Sequence, residues 1–278
     1  MSEPDSDLSP SAYFRATTVG TREVLEPGES AASGWSATMM RGPAVSGALA
    51  RAVEQVQLAS GRDDLRPARW TVDLLAPSPR VPSEATTHVL QVSRRLMLIS
   101  AELAHEGRTT ARGTALFLKA TENPDNPVWS SGTHWEPPPA SLRPTGRDPS
   151  LYFSEDSGWS ADQTRSQDGS RRRAWHLPIP LVEGEEITAF QVVASLADLT
   201  SLTANWGARG IAHINADITV AIARLPVTNE LGIAALERIE CDGIAIGTAV
   251  LFDRQGTLGT SVVSALANAD KRIDLSAR

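Results

Sequence analysis

Two stretches of the chain carry the 3.6-residue period of a helix with one apolar face. In "PAVSGALARAVEQVQLA", Val45, Leu49, Ala52, Val53 and Val56 recur at helical spacing. In "ITAFQVVASLADLTSL", Phe190, Ala194, Asp198 and Leu202 stand four apart and share one stripe. Each helix is followed by a predicted strand that runs into a proline, "RWTVDLLAPSP" in the first half and "INADITVAIARLP" in the second. Three further strands follow in each half. Their turns are marked by Glu106-Gly107 in the first half, and by Asp242-Gly243 and Gln255-Gly256 in the second.

The two halves match in register as well as in order. Thr71-Val72 stands to Thr219-Val220 at an interval of 148 (220 − 72 = 148), and Gly107 to Gly256 at 149 (256 − 107 = 149). A repeat of one helix followed by antiparallel strands predicts two copies of a small α+β unit. Neither helix can bury its apolar stripe alone, so each is expected on the concave face of its own curved sheet, with the two sheets joined edge to edge. The pattern divides the chain into a first unit over 10–122, a proline-rich linker over 123–170 and a second unit over 171–270. The linker sequence "TENPDNPVWSSGTHWEPPPASLRPTGRDPS" holds neither period and is expected to drape over the surface.

Composition narrows the partners. With 278 residues, 41% hydrophobic and 21% charged, the chain can bury two cores. A formal net charge of −7 lacks the basic footprint that nucleic acid demands. No apolar run reaches the length of a bilayer-spanning helix, and the polar start "MSEPDSDLSPSAYF" is unlike a secretory signal. The single cysteine, Cys241, cannot form an internal disulfide, in keeping with a reducing, cytoplasmic setting. There is no G-x-S-x-G elbow, P-loop or dinucleotide fingerprint. The histidines His88, His105, His134, His176 and His213 are scattered without ligand spacing, so no metal site is expected. Arg171 to Arg173 form a short basic run suited to a phosphate or simply to a solvated loop.

The segments "YFRATTVG", "MRGPAVSGALARAVE", "WTVDLLAPSP", "SLADLTSL", "INADITVAIARLP" and "LFDRQGTLGTSVVSAL", in this order, resemble the thioesterase-like superfamily related to type II acyl-CoA thioesterases. The resemblance extends from about residue 12 to residue 268. It implies a double hotdog fold (two tandem units, each a long helix wrapped by an antiparallel sheet) and hydrolysis of coenzyme A thioesters, with coenzyme A present as part of the substrate and no separate cofactor. Because such a chain already contains the sheet that single-hotdog chains build by dimerising, it permits homo-oligomers without requiring them.

The resemblance also implies a catalytic trio of aspartate, threonine and glutamine. The aspartate falls on Asp198, the threonine position on Asn215, and the glutamine position on Ser264, or on Val263 with a slip of one. Asp217 is the strand aspartate that follows. The absent glutamine keeps a second reading open, an acyl-CoA or acyl-carrier binding protein that does not cleave; Gln191 is a candidate substitute. A hotdog hydratase would pair an aspartate with a histidine, and His213 alone is near.

The residues themselves bear on these assignments. A carboxylate on a core-facing helix stripe costs several kcal/mol unless it is hydrogen-bonded or wet, so Asp198 needs a reason, which a pocket between the halves would supply. In "MRGPAV", Gly42 allows close backbone approach and Pro43 suits a first helical position, so backbone N–H groups there could meet an oxyanion. Arg41 is a candidate phosphate contact. By strand alternation Asn215, Asp217 and Thr219 are expected on one face of their strand.

Overall fold

A computed structural model describes residues 11–144 and 149–274. The polar N-terminal stretch through Pro10 lies outside them. In chain order the elements are a hairpin of β1 (Phe14–Val19) and β2 (Arg22–Pro27), then α1 (Gly42–Ala59). Next come β3 (Leu65–Leu74), β4 (Glu84–Val92), β5 (Leu96–His105) and β6 (Arg108–Lys119). The region expected as linker supplies β7 (Ser150–Ser154) and β8 (Gly158–Ser160), and β9 (Arg173–His176) follows it at the start of the second unit. The second unit contains α2 (Ala189–Leu196), α3 (Thr200–Asn205), the short strands β10 (Trp206–Gly207) and β11 (Gly210–Ile211), β12 (His213–Asn215) and β13 (Asp217–Ile222). It closes with β14 (Leu231–Cys241), β15 (Ile244–Asp253) and β16 (Gly256–Ala267).

One long sheet runs β4-β5-β6-β3-β13-β16-β15-β14-β9-β7-β8, with β12 also on β16. A single shift of 148 residues carries β3 onto 213–222, β5 onto β15 and β6 onto β16. Under this shift the equivalent of Gly107 is Gln255, not Gly256, so the interval of 149 reflects turns of different sequence. The two units meet where β3 pairs antiparallel with β13, and there Thr71 faces Thr219. Each threonine therefore faces its own copy, which puts the two-fold axis of the duplication between them.

Both helices lie on the same face of the sheet and against each other. Small residues make the approach close: Ser46 donates to the carbonyl of Ala194 at 2.6 Å, and Ser195 to that of Pro43 at 2.8 Å. A Cβ on Gly47 would fall 2.4 Å from Leu181. Below the crossing, the fully buried Trp70 donates its indole N–H to Ser46 and rests on Gly113, where no side chain competes. Truncation of such a ring costs about 3–5 kcal/mol.

Two expectations are corrected. The proline-rich region does not simply drape, because its β7 and β8, together with β9 just after it, extend the sheet past β14. Without them the hydrogen-bonding edge of β14 at Leu231–Ala234 would be bare. Trp135 of this region and Trp175 of β9 cover Phe252, with ring centroids 6.3 and 5.6 Å away. The second helix is not continuous either: a 3-10 turn, Ala197–Leu199, separates α2 from α3. No helix among the described residues is long and apolar enough to cross a membrane.

Candidate active site

Asp198 sits in that 3-10 turn, where the tighter winding interrupts the helical ladder. It is 8% exposed, so its carboxyl depends on protein partners. The side-chain amide of Asn215 donates to its Oδ1 at 2.8 Å. On the other side stands the first residue of α1. A Cβ on Gly42 would lie 2.1–2.2 Å from the carboxyl atoms, so only glycine leaves room for them. Burial pushes the Asp198 carboxyl from 3.8 up to about 6, with the Asn215 hydrogen bond and the charge of Arg41 pulling the other way. The positive end of the α1 dipole also favours charge at this place. The result is a desolvated carboxyl near neutrality, held between two helices and a strand.

Asn215 reaches Asp198 because of an irregularity in the strand. Asn215 pairs with Ala265 on β16, whereas Thr219 pairs with Val262. The change in register leaves Ala216 as a β-bulge, which flips the alternation. Asn215 thus faces the helices while Asp217 and Thr219 face outward, correcting the expectation of one shared polar face. The first unit carries the same irregularity between Pro67 and Arg69, at the equivalent residue Ala68 (216 − 148 = 68).

Asp217 does separate work on the outer face. It accepts a hydrogen bond from the backbone N–H of Ser264 at 2.5 Å and lies opposite Asp73. Ser264 pairs with the exposed Ile246, so its side chain points outward, away from Asp198. Val263, the residue of the slipped register, faces the helices and is fully buried. Gln191 is also occupied elsewhere. Its side chain caps α2 with Thr188 and donates to Glu54 at 2.7 Å. Arg41 is the N-cap residue of α1 and acts on Asp198 through its charge. The structure therefore brings together Asp198, Asn215, Gly42 and Arg41, and leaves Ser264 and Asp217 on the far face.

Glu54 was not singled out in the sequence. It accepts from Thr188 Oγ1 at 2.8 and 2.9 Å and from Gln191, and burial raises its pKa. The capping box Thr188-x-x-Gln191 was legible, but its acidic partner comes from 134 residues away.

The duplication supplies an internal comparison. The equivalents of Asp198 and Gly42 are Ala50 (198 − 148 = 50) and Phe190 (42 + 148 = 190). Both are buried, and Phe190 packs edge-on against Trp70 at 5.8 Å and Phe117 at 5.7 Å. The first unit thus has an alanine at the position of the carboxylate, and the second has an aromatic ring at the position of Gly42.

Among the described residues no group of three or more His, Cys, Asp or Glu could hold a metal ion. Residues 31–118 match the family model described as the acyl-CoA thioesterase N-terminal domain. No curated protein matches. Among solved structures, the tesB protein of Mycobacterium avium subsp. paratuberculosis superposes with a TM-score of 0.62 at 17% identity, covering 92% of this chain and 96% of that one. The acyl-CoA thioesterase II TesB2 of Mycobacterium marinum gives 0.59 at 14% identity, with coverage of 81% and 90%. A hot dog fold protein of unknown function from Alicyclobacillus acidocaldarius gives 0.61 at 14%, with 92% and 96%. These likenesses establish the fold over both units. The chain folds as a double hotdog, and its first unit is similar to the acyl-CoA thioesterase N-terminal domain.

Proposed function

We propose that the protein hydrolyses acyl-CoA thioesters by direct attack of water, with Asp198 as general base. The observation that carries this reading is the buried Asp198 carboxyl, displaced to about 6 and wedged against Gly42 at the start of α1. A base with a pKa close to the working pH combines availability with driving force. Asn215 donates to one carboxylate oxygen through its N–H group. That leaves the other oxygen, and the Asn215 carbonyl, to accept from a water. Asp198 takes a proton as the water oxygen bonds to the thioester carbon. The positive end of α1 stabilises the oxyanion. The C–S bond then breaks, and the proton held by Asp198 passes to the departing thiolate. The products are a carboxylic acid and the free thiol of coenzyme A.

One observation favours a second reading, binding without cleavage. The helix-facing residues of β16 near the site are Ser261, Val263 and Ala265, none with an amide, and Ser261 is already hydrogen-bonded to Thr200 at 2.6 Å. Thiol release from a panel of short to long acyl-CoAs, by the protein and by Asp198→Asn, separates the two. Hydrolysis that falls by about 10²-fold or more in the variant is expected for a lost general base. Tight acyl-CoA binding with no thiol release would assign the site to binding alone.

A further inference from the structure

A groove of about 640 Å³ opens at the far end of α3 from Asp198, between that helix and β14. The chain carries a net charge of −7, yet this groove is lined by Arg171, Arg172, Arg209, Arg238 and Arg272, with Glu237 as the one acidic side chain among the described residues. The lining charge is +4 (5 − 1 = 4). Arg172 is fully buried, stacked 4.4 Å over Trp206 and paired with Asp168 at 3.1 Å, and Arg238 is paired with Glu240 at 2.6 Å. Arg171, Arg209 and Arg272 are exposed, and none forms a hydrogen bond or ion pair among the described residues.

Residues of the lining also carry buried donors with no acceptor among the described residues: Nε and Nη1 of Arg172, Nδ2 of Asn205 and Nε1 of Trp206. Every one is an N–H, and buried donors are costly to leave unpaired. The groove thus combines excess positive charge with an excess of donors, the complement of an anion rich in acceptor oxygens.

The fold alone does not require these arginines. The first unit has the equivalent groove, about 360 Å³, between α1 and β4. Its lining residues Gln55, Val56, Ala59 and Thr87 are the counterparts of Thr203, Ala204, Gly207 and Ala235, each 148 residues earlier. Among the described residues, that groove has no arginine in its lining and one glutamate, Glu23.

Two elements connect the basic groove to Asp198. Helix α3 begins just after Asp198 and ends at Asn205, a rise of roughly 10 Å over seven residues. On β12, His213 lines the groove and Asn215, on the same face two residues along, holds Asp198. We propose that this groove binds the phosphate groups of the coenzyme A carrier while the thioester lies at Asp198. The inference rests on the acyl-CoA reading above, and it names where the nucleotide end is held.

The test is calorimetric binding of free coenzyme A, which needs no turnover, to the wild type and to the triple variant Arg171→Gln, Arg209→Gln, Arg272→Gln. These side chains are exposed, and an unchanged melting temperature verifies folding. Coenzyme A affinity is expected to fall at least tenfold in the variant, with little change for pantetheine, which lacks the nucleotide phosphates. Kinetics with paired acyl-CoA and acyl-pantetheine substrates should show a loss in kcat/KM at least tenfold larger for the coenzyme A ester. Equal coenzyme A affinity in both proteins, with hydrolysis intact, overturns this inference and spares the hydrolase reading. Inorganic phosphate binding as tightly as coenzyme A also overturns it, marking a general anion site. Arginine-dependent coenzyme A binding without hydrolysis of either ester would sustain the groove and remove the hydrolase.

Discussion

Gly42 and Asp198 stand in contact from opposite units of the duplication, so closely that a single methyl group on Gly42 would overlap the Asp198 carboxyl at 2.1 Å. The site is therefore made by the packing of two helices, and its geometry is sensitive to the smallest possible change on the first of them.

Gly42→Ala should show this directly. Elsewhere in a helix, glycine to alanine gains up to about 1 kcal/mol. Here the added carbon must push Asp198 aside, and a displacement of about 1 Å from reacting geometry can cost about 10²-fold in rate. We expect kcat/KM to drop by about that factor and the melting temperature to fall rather than rise. A stabilised, fully active Gly42→Ala protein would refute the contact.

The raised pKa of Asp198 has consequences of opposite sign for rate and stability. As a base it must be ionised, so kcat/KM should rise through pH 6 and level off above it. For stability, folding favours the protonated form. The benefit is complete below the unfolded value of 3.8 and is lost as pH rises through about 6, at an order-of-magnitude cost of about 3 kcal/mol. Asp198→Asn carries no such charge, so it should melt higher than the wild type at pH 8, with the gap closing towards pH 4, while losing activity. Denaturation across that range decides it; a gap independent of pH would contradict the burial of the charge.

On the outer face, Asp217 and Ser264 should separate stability from turnover. Asp217→Ala removes the acceptor of the Ser264 N–H and is expected to cost about 1–2 kcal/mol in urea denaturation, with turnover changed only a few-fold. Ser264→Ala keeps that backbone donor and should be near neutral in both assays. A loss of two orders of magnitude in Ser264→Ala would mean that its hydroxyl reaches the reaction after all.

The sequence by itself determined the duplication. Helical and alternating periods repeat at 148 residues because each unit must bury the same helix stripe against the same curved sheet, and a periodic pattern records that demand locally. It also marked Asp198, since a carboxylate on an apolar stripe conflicts with burial wherever the helix packs. Which polar neighbours meet Asp198 was decided only in three dimensions. The bulge at Ala216 reverses the facing of every residue beyond it, so Asn215 turned inward while Asp217 turned outward, and Ser264 pairs on that outer face. Alternation cannot signal a bulge, because one extra unpaired residue leaves no trace in hydrophobicity. The pairing of Glu54 with Gln191 and the gathering of arginines around α3 likewise join segments far apart in the chain. Local periods carry the information of one element at a time, and contacts between elements come only from how those elements pack.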